Sequence, residues 1–161
     1  MKKLLFVLVY VVLFGIQTAF NQPLWFKFDL PLLFVYAMAM LYGSKTGAAV
    51  GASSGLLYDF LSGAVFGFHT ATRCIVGFVA GYIKGQVFKE HAAYHIIAAL
   101  VITAGIRMLF FFVALFLTPI ADMVFIEGYL QQTAAYCLGN IIFVVPVYKL
   151  CGFISRWQKD E

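Results

Sequence analysis

Three ionisable side chains stand inside apolar sequence, and they set the chemical question. Asp59 lies in GLLYDFLSG, Arg73 in TATRCIVG and Arg107 in AGIRMLFFF. A charge at membrane depth costs roughly 2.5–3.5 kcal/mol on insertion scales, so each of these groups must face protein and have a partner. One acid and two guanidiniums can form an internal ion-pair network that fixes helix register. They can equally leave a surplus arginine, whose planar fork accepts an anionic group from a ligand or a partner protein. Asp59 is eligible to pair with either arginine. Gln131, Gln132 and Asn140 of the last apolar segment are further polar groups that can join the cluster.

A second constellation, Glu90, His91 and His95 in EHAAYH, has helical spacing for a metal. Two ring nitrogens and one acid in a basic loop read as solvated interfacial residues, so no metal is expected. Hydrolase or transferase chemistry needs a nucleophile placed with a base or a metal. His69 stands across the membrane from His91 and His95 in this reading, so neither an enzyme nor a cofactor is expected. An all-helical chain has no strand for a glycine-rich phosphate loop to follow. Cys74, Cys137 and Cys151 lie in apolar segments at no ligand spacing and read as small packing residues.

The elements that must position these groups follow from composition. Of 161 residues 63% are apolar and 11% charged, with a mean hydropathy of +0.94. A soluble domain keeps about 25% charged residues to cover its surface, so the chain is an all-α integral membrane protein, one membrane domain over 1–161. No basic face or run is present to neutralise phosphates, which excludes nucleic acid as a partner. Hydropathy separates six apolar segments, at about 4–20, 30–42, 46–61, 68–83, 95–117 and 129–153. A span needs about 20 residues, so the second to fourth are short and must be tucked against neighbours or thin the bilayer locally.

The first segment follows Lys2 and Lys3, but GIQTAF carries no Ala-x-Ala cleavage pattern and a retained helix is expected. With the amino terminus in the cytoplasm, Lys2, Lys3, Lys45, Lys84, Lys89, Lys149, Arg156 and Lys159 fall inside and Lys27 alone falls outside. That asymmetry predicts six transmembrane helices with N and C termini cytoplasmic. The outer loop 118–128, TPIADMVFIEG, has two acids and no base, and 21–29, NQPLWFKFD, offers Trp25 as an interfacial anchor. Asp29 before Leu30 and Pro31 predicts an N-cap, with proline in the first turn where its missing donor does no harm.

Glycine recurs at 43, 47, 51 and 55 in steps of four, and the fifth step reaches Asp59. On a helix this is one slowly winding groove, widened by Ala48, Ala52, Ser53 and Ser54. Gly77, Gly81 and Gly85 repeat the pattern, with Ser62, Gly63 and Gly67 at the connection between. In lipid, close backbone approach across small residues holds helices together, so the two segments are expected to form a tight hairpin. Phe110, Phe111, Phe112 and Phe116 form an aromatic ridge facing lipid or a partner helix.

The region GAAVGASSGLLYDFLSGAVFGFHTATRCIVGFVAGYIKG resembles the signature of the MreD family of rod shape-determining membrane proteins. The matching positions are Gly55, Asp59, Ser62, Gly63, Gly67, Gly77 and Gly81, supported by chain length and the six-segment hydropathy. The resemblance implies a non-enzymatic scaffold of the bacterial cytoplasmic membrane. Its implied partners are the transmembrane helix of MreC and, in a larger complex, RodA, a penicillin-binding transpeptidase and MreB. It also implies a fold resembling the six-helix S components of energy-coupling-factor (ECF) vitamin transporters. A vitamin-binding S component is the second reading. Such subunits typically carry an Ala-x-x-x-Ala patch on the first helix, which LLFVLVYVVLFGIQTAF lacks.

Overall fold

In the computed structural model the apolar segments are six α-helices: α1 (Lys2–Phe20), α2 (Leu30–Tyr42), α3 (Ser44–Ser62), α4 (Phe68–Ile83), α5 (Ala92–Leu117) and α6 (Met123–Trp157). The structure describes residues 2–20, 27–62, 66–84, 91–117 and 123–157, and no strand occurs among them. Gly63, Trp25, Gly85 and Glu90 lie outside the described residues. The hydropathy segments match the helices closely except at α6. That helix begins inside the stretch expected to be an outer loop and runs 35 residues, carrying Pro146 in its interior.

The bundle is built around α2. Every residue from Leu30 to Met40 is buried, with Val35, Ala37 and Ala39 fully inaccessible. A helix apolar on all sides must be covered on all sides, which a 13-residue helix achieves by being enclosed by its neighbours. At its start, Asp29 caps the helix as its sequence position predicts: the carboxylate accepts from the Leu32 N–H at 3.0 Å, and proline occupies the first turn. At its end a single glycine separates α2 from α3. Gly43 has φ +95°, a conformation natural to glycine. Its N–H donates to Ala39 at 2.8 Å while its carbonyl accepts from Gly47 at 2.9 Å. Gly43 therefore joins the two helices, and its carbonyl carbon also lies where a Cβ on Gly81 would fall, so it continues the register of Gly47 with Gly77.

The α3–α4 hairpin is the closest packing in the molecule. A Cβ added at Gly47 would overlap the Gly77 carbonyl, one at Gly51 the Arg73 carbonyl, and one at Gly55 the His69 carbonyl. Gly77 meets Gly47 in return, and Gly81 meets Ser44. The helices are antiparallel with backbone against backbone, as expected for association without a hydrophobic driving force. Gly67 has a different task. Nothing packs against it, and its φ of +89° shapes the N-cap of α4.

Neighbouring helices alternate in direction. At one end of the bundle the Phe6 ring meets the Tyr42 ring edge-on at 5.8 Å, and the Tyr42 hydroxyl donates to Ser155 Oγ at 3.0 Å. The start of α1, the end of α2 and the end of α6 thus share one end. The polar residues described next lie at the other. Two helices, α5 and α6, are long and apolar enough to cross a membrane, while α1 and α2 are shorter apolar helices. Only 11% of the apolar window of α5 is buried, so α5 is not the core helix of a soluble protein. Phe112 and Phe116 of the aromatic ridge point outward, whereas Phe110 turns inward.

Candidate functional site: a polar cavity between the helices

The end of the bundle opposite Tyr42 holds a partly open cavity of about 220 Å³. Five helices and the residue before α2 contribute polar or aromatic groups to it: Gln17 from α1, Asp29, Tyr58 from α3, His69 and Arg73 from α4, Thr103, Arg107 and Phe110 from α5, and Tyr136 and Asn140 from α6. Such a convergence in an otherwise apolar molecule is the usual architecture of a small-molecule site.

Asp59 is not part of this lining, and its partners differ from those expected. Its side chain is buried and turned toward the first turn of α4. Oδ2 accepts from the Gly67 N–H at 3.0 Å, the Thr70 N–H at 3.0 Å and the Thr70 hydroxyl at 2.7 Å, while Oδ1 accepts from the His69 N–H at 3.0 Å. The acid on the last turn of α3 therefore caps α4. It pairs with neither Arg73 nor Arg107, because three backbone N–H groups, the Thr70 hydroxyl and the positive end of the helix dipole already satisfy the carboxylate. Asp59→Ala is expected to lower detergent-state stability by about 2 kcal/mol or more, from the lost cap and the stranded buried donors. Asp59→Asn, which keeps one acceptor oxygen, is expected to lose about half as much in a thermal melt. Equal losses for the two would refute the cap.

Arg73 instead takes Asp29. The guanidinium Nη2 lies 3.0 and 3.1 Å from the two Asp29 oxygens, and Nη1 donates to the Ser54 carbonyl at 3.4 Å. The arginine is 1% exposed and stacks 4.5 Å from the Tyr58 ring. Around this pair the buried amides are paired as well. Gln17 Oε1 accepts from the Leu30 N–H at 2.8 Å, and Asn140 Oδ1 accepts from the Asp29 N–H at 2.8 Å. Asn140 Nδ2 donates to Thr103 Oγ1 at 2.8 Å. The start of α2 is thus anchored to α1, α4, α5 and α6 at one point.

Arg107 sits apart from both acids. Its Nε donates to Thr133 Oγ1 at 3.2 Å, and its guanidinium lies 4.2 Å from the Tyr129 ring and 5.0 Å from the Tyr136 ring. Nη2 is buried and has no hydrogen-bond partner among the described residues. Beside these polar groups the lining includes three mutually tilted rings, with Tyr58 and His69 centroids 4.5 Å apart and His69 and Phe110 5.0 Å apart.

Of the residues singled out from sequence, Arg73 and Arg107 line one cavity, while the glycines and Asp59 build the hairpin that carries Arg73. Sequence reasoning missed Gln17, Tyr58, Thr103, Tyr136 and Gly139. Gln17 was visible in principle as a lone amide in an apolar helix. Gly139 lies against the Lys27 carbonyl, a contact made by chain segments far apart in sequence. Of the EHAAYH constellation Glu90 lies outside the described residues, among which no group of three or more candidate ligands occurs. His95 is buried rather than solvated. Its Nδ1 is 2.9 Å from the Tyr36 hydroxyl and its ring lies 4.0 Å from the Tyr148 ring.

A family model described as ECF-type riboflavin transporter, S component, matches residues 4–154. The chain belongs to this family. Neither a curated protein nor a solved structure matches it. S components are substrate-binding transporter subunits, not enzymes, and they are integral membrane proteins of the inner membrane; both statements hold for this chain. The family match corrects the MreD resemblance, and with it the scaffold role and MreC, RodA, the transpeptidase and MreB as partners. The physical reason lies in the glycines. Gly47, Gly51, Gly55, Gly77 and Gly81 are required by close hairpin packing, which any tightly packed membrane protein can need. The missing Ala-x-x-x-Ala concerns a few positions of one helix, against a match that spans residues 4–154 of the chain.

Proposed function

We propose that this S component binds riboflavin, or a flavin close to it, in the cavity between the helices. We further propose that it delivers the flavin through an ECF module made of an ATPase and a transmembrane T component. The observation that carries the reading is the coincidence of family and site: a chain matched to riboflavin S components has a cavity between its helices lined by both aromatic and polar groups. Tyr58, His69 and Phe110 supply aromatic surface against which a planar tricyclic ring packs, and offset or edge-on ring packing adds about 0.5–1.5 kcal/mol per pair beyond area burial. Beside them stand groups that hydrogen-bond ring oxygens or a polyol chain.

The same reading places six membrane spans with both chain ends in the cytoplasm. Lysine and arginine favour that orientation, and the shared end marked by Phe6, Tyr42 and Ser155 is then cytoplasmic. The cavity, at the opposite end, opens toward the outside, where a nutrient is first met. The short α2 is accommodated because it is shielded by protein and not exposed to lipid along its length.

The test is a titration of riboflavin into the purified detergent-solubilised chain, followed by quenching of flavin fluorescence. Saturable quenching at one flavin per chain is expected. A folded, monodisperse protein that leaves riboflavin fluorescence unchanged at micromolar concentrations would remove the proposal.

A further inference from the structure

The polar groups of the cavity are not equally committed. Asp29 and Arg73 neutralise each other through two contacts. Gln17, Asn140 and Thr103 are engaged in holding the start of α2. Arg107 has no carboxylate partner among the described residues, and its Nη2 is buried without a hydrogen-bond partner among them. A buried donor left unpaired is costly, and the cost is greater for a charged group. Arg107 also lines the cavity, so a ligand there that offers an acceptor to the guanidinium adds a charge-assisted hydrogen bond that the described residues do not supply in full.

The shape of the site narrows the acceptor. Thr133 and the rings of Tyr129 and Tyr136 hold the guanidinium on three sides, so its plane is set before any ligand arrives. A fixed planar fork matches an in-plane sp² oxygen better than a freely rotating alcohol. An alcohol would also bring a donor of its own that needs a partner. The cavity lining has two guanidiniums against one carboxylate, which favours an oxygen carrying partial negative charge.

We infer that Arg107 is the specificity-determining donor of the site, and that it recognises a conjugated carbonyl oxygen on the edge of the ligand's planar ring and not the polyol chain. The inference rests on the flavin reading above and adds which end of the ligand the arginine reads.

The experiment compares riboflavin with lumiflavin, which keeps the carbonyl-bearing ring and replaces the polyol chain by a methyl group. Wild type is expected to bind both. Arg107→Met is expected to weaken both by the same factor, about 10- to 100-fold, the range set by a hydrogen bond to a charged group. Its thermal melt without ligand is expected to be unchanged or raised, since an unpaired buried charge has been removed. Should Arg107→Met not fold, Arg107→Lys keeps the charge without the fork, and an equal loss for both ligands is again expected. A loss confined to riboflavin assigns Arg107 to the chain and overturns the inference, as does wild type that binds riboflavin but not lumiflavin. An unchanged affinity for both ligands also overturns it. Wild type that binds neither ligand is the distinct failure of the flavin reading itself.

Discussion

Gly51→Val is expected to abolish recovery of the folded protein from detergent. The added side chain would have to occupy the position of the Arg73 carbonyl, and its first carbon alone also meets the Arg73 carbonyl carbon and the Cys74 nitrogen. Overpacking a core typically costs about 1–3 kcal/mol when neighbouring side chains can yield. Here the neighbour is helix backbone, so the only relief is separation of α3 from α4. Separation carries Arg73 away from Asp29 and the Ser54 carbonyl, so the cavity is lost with the hairpin. Gly51→Ala is expected to have the same effect in weaker form. Gly105→Ala and Gly152→Ala are the matched controls, because nothing lies within 4 Å of an added Cβ at either position. They are expected to be neutral or to stabilise by up to about 1 kcal/mol through helix propensity. Size-exclusion profiles and thermal melts of the four variants decide the matter. Gly51→Val with a wild-type profile would show that the hairpin is not held by backbone contact.

Asp29→Asn is expected to cost about 3–5 kcal/mol, the range for removing one partner of a buried ion pair. The asparagine keeps an acceptor for the Leu32 N–H, so the α2 cap survives and the loss reports on the charge left behind at Arg73. Combining Asp29→Asn with Arg73→Met should recover much of the loss, because no uncompensated charge then remains inside. The double-substitution cycle is therefore strongly non-additive for Asp29 and Arg73. For Asp59 and Arg73 it should be close to additive, since the Asp59 oxygens are filled by the first turn of α4. Coupling measured in the second cycle and absent from the first would reverse the assignment of the acids.

These two acids show how far the sequence could be read. Asp29 was legible as a cap because a cap needs only the next few residues. Its pairing with Arg73 was not, because the partners are 44 positions apart and meet only once α2 and α4 pack. Asp59 seemed the natural partner of an arginine because both stand at similar depth in adjacent helices. The nearest donors were backbone N–H groups of α4, which a scan of charged residues does not count. The glycine groove was legible as close packing, but packing chemistry is shared among membrane families and so could not identify this one.

Composition and hydropathy periodicity determined the membrane setting, the helical class and the near-final positions of the helices, because in lipid each segment must satisfy its own backbone. The tertiary structure decided that α2 is the enclosed axis, that Gly43 is the one-residue junction of α2 and α3, which acid serves which partner, and that Arg107 lines the cavity. Those outcomes depend on which helix neighbours which, a property of packing between distant segments that local sequence does not encode.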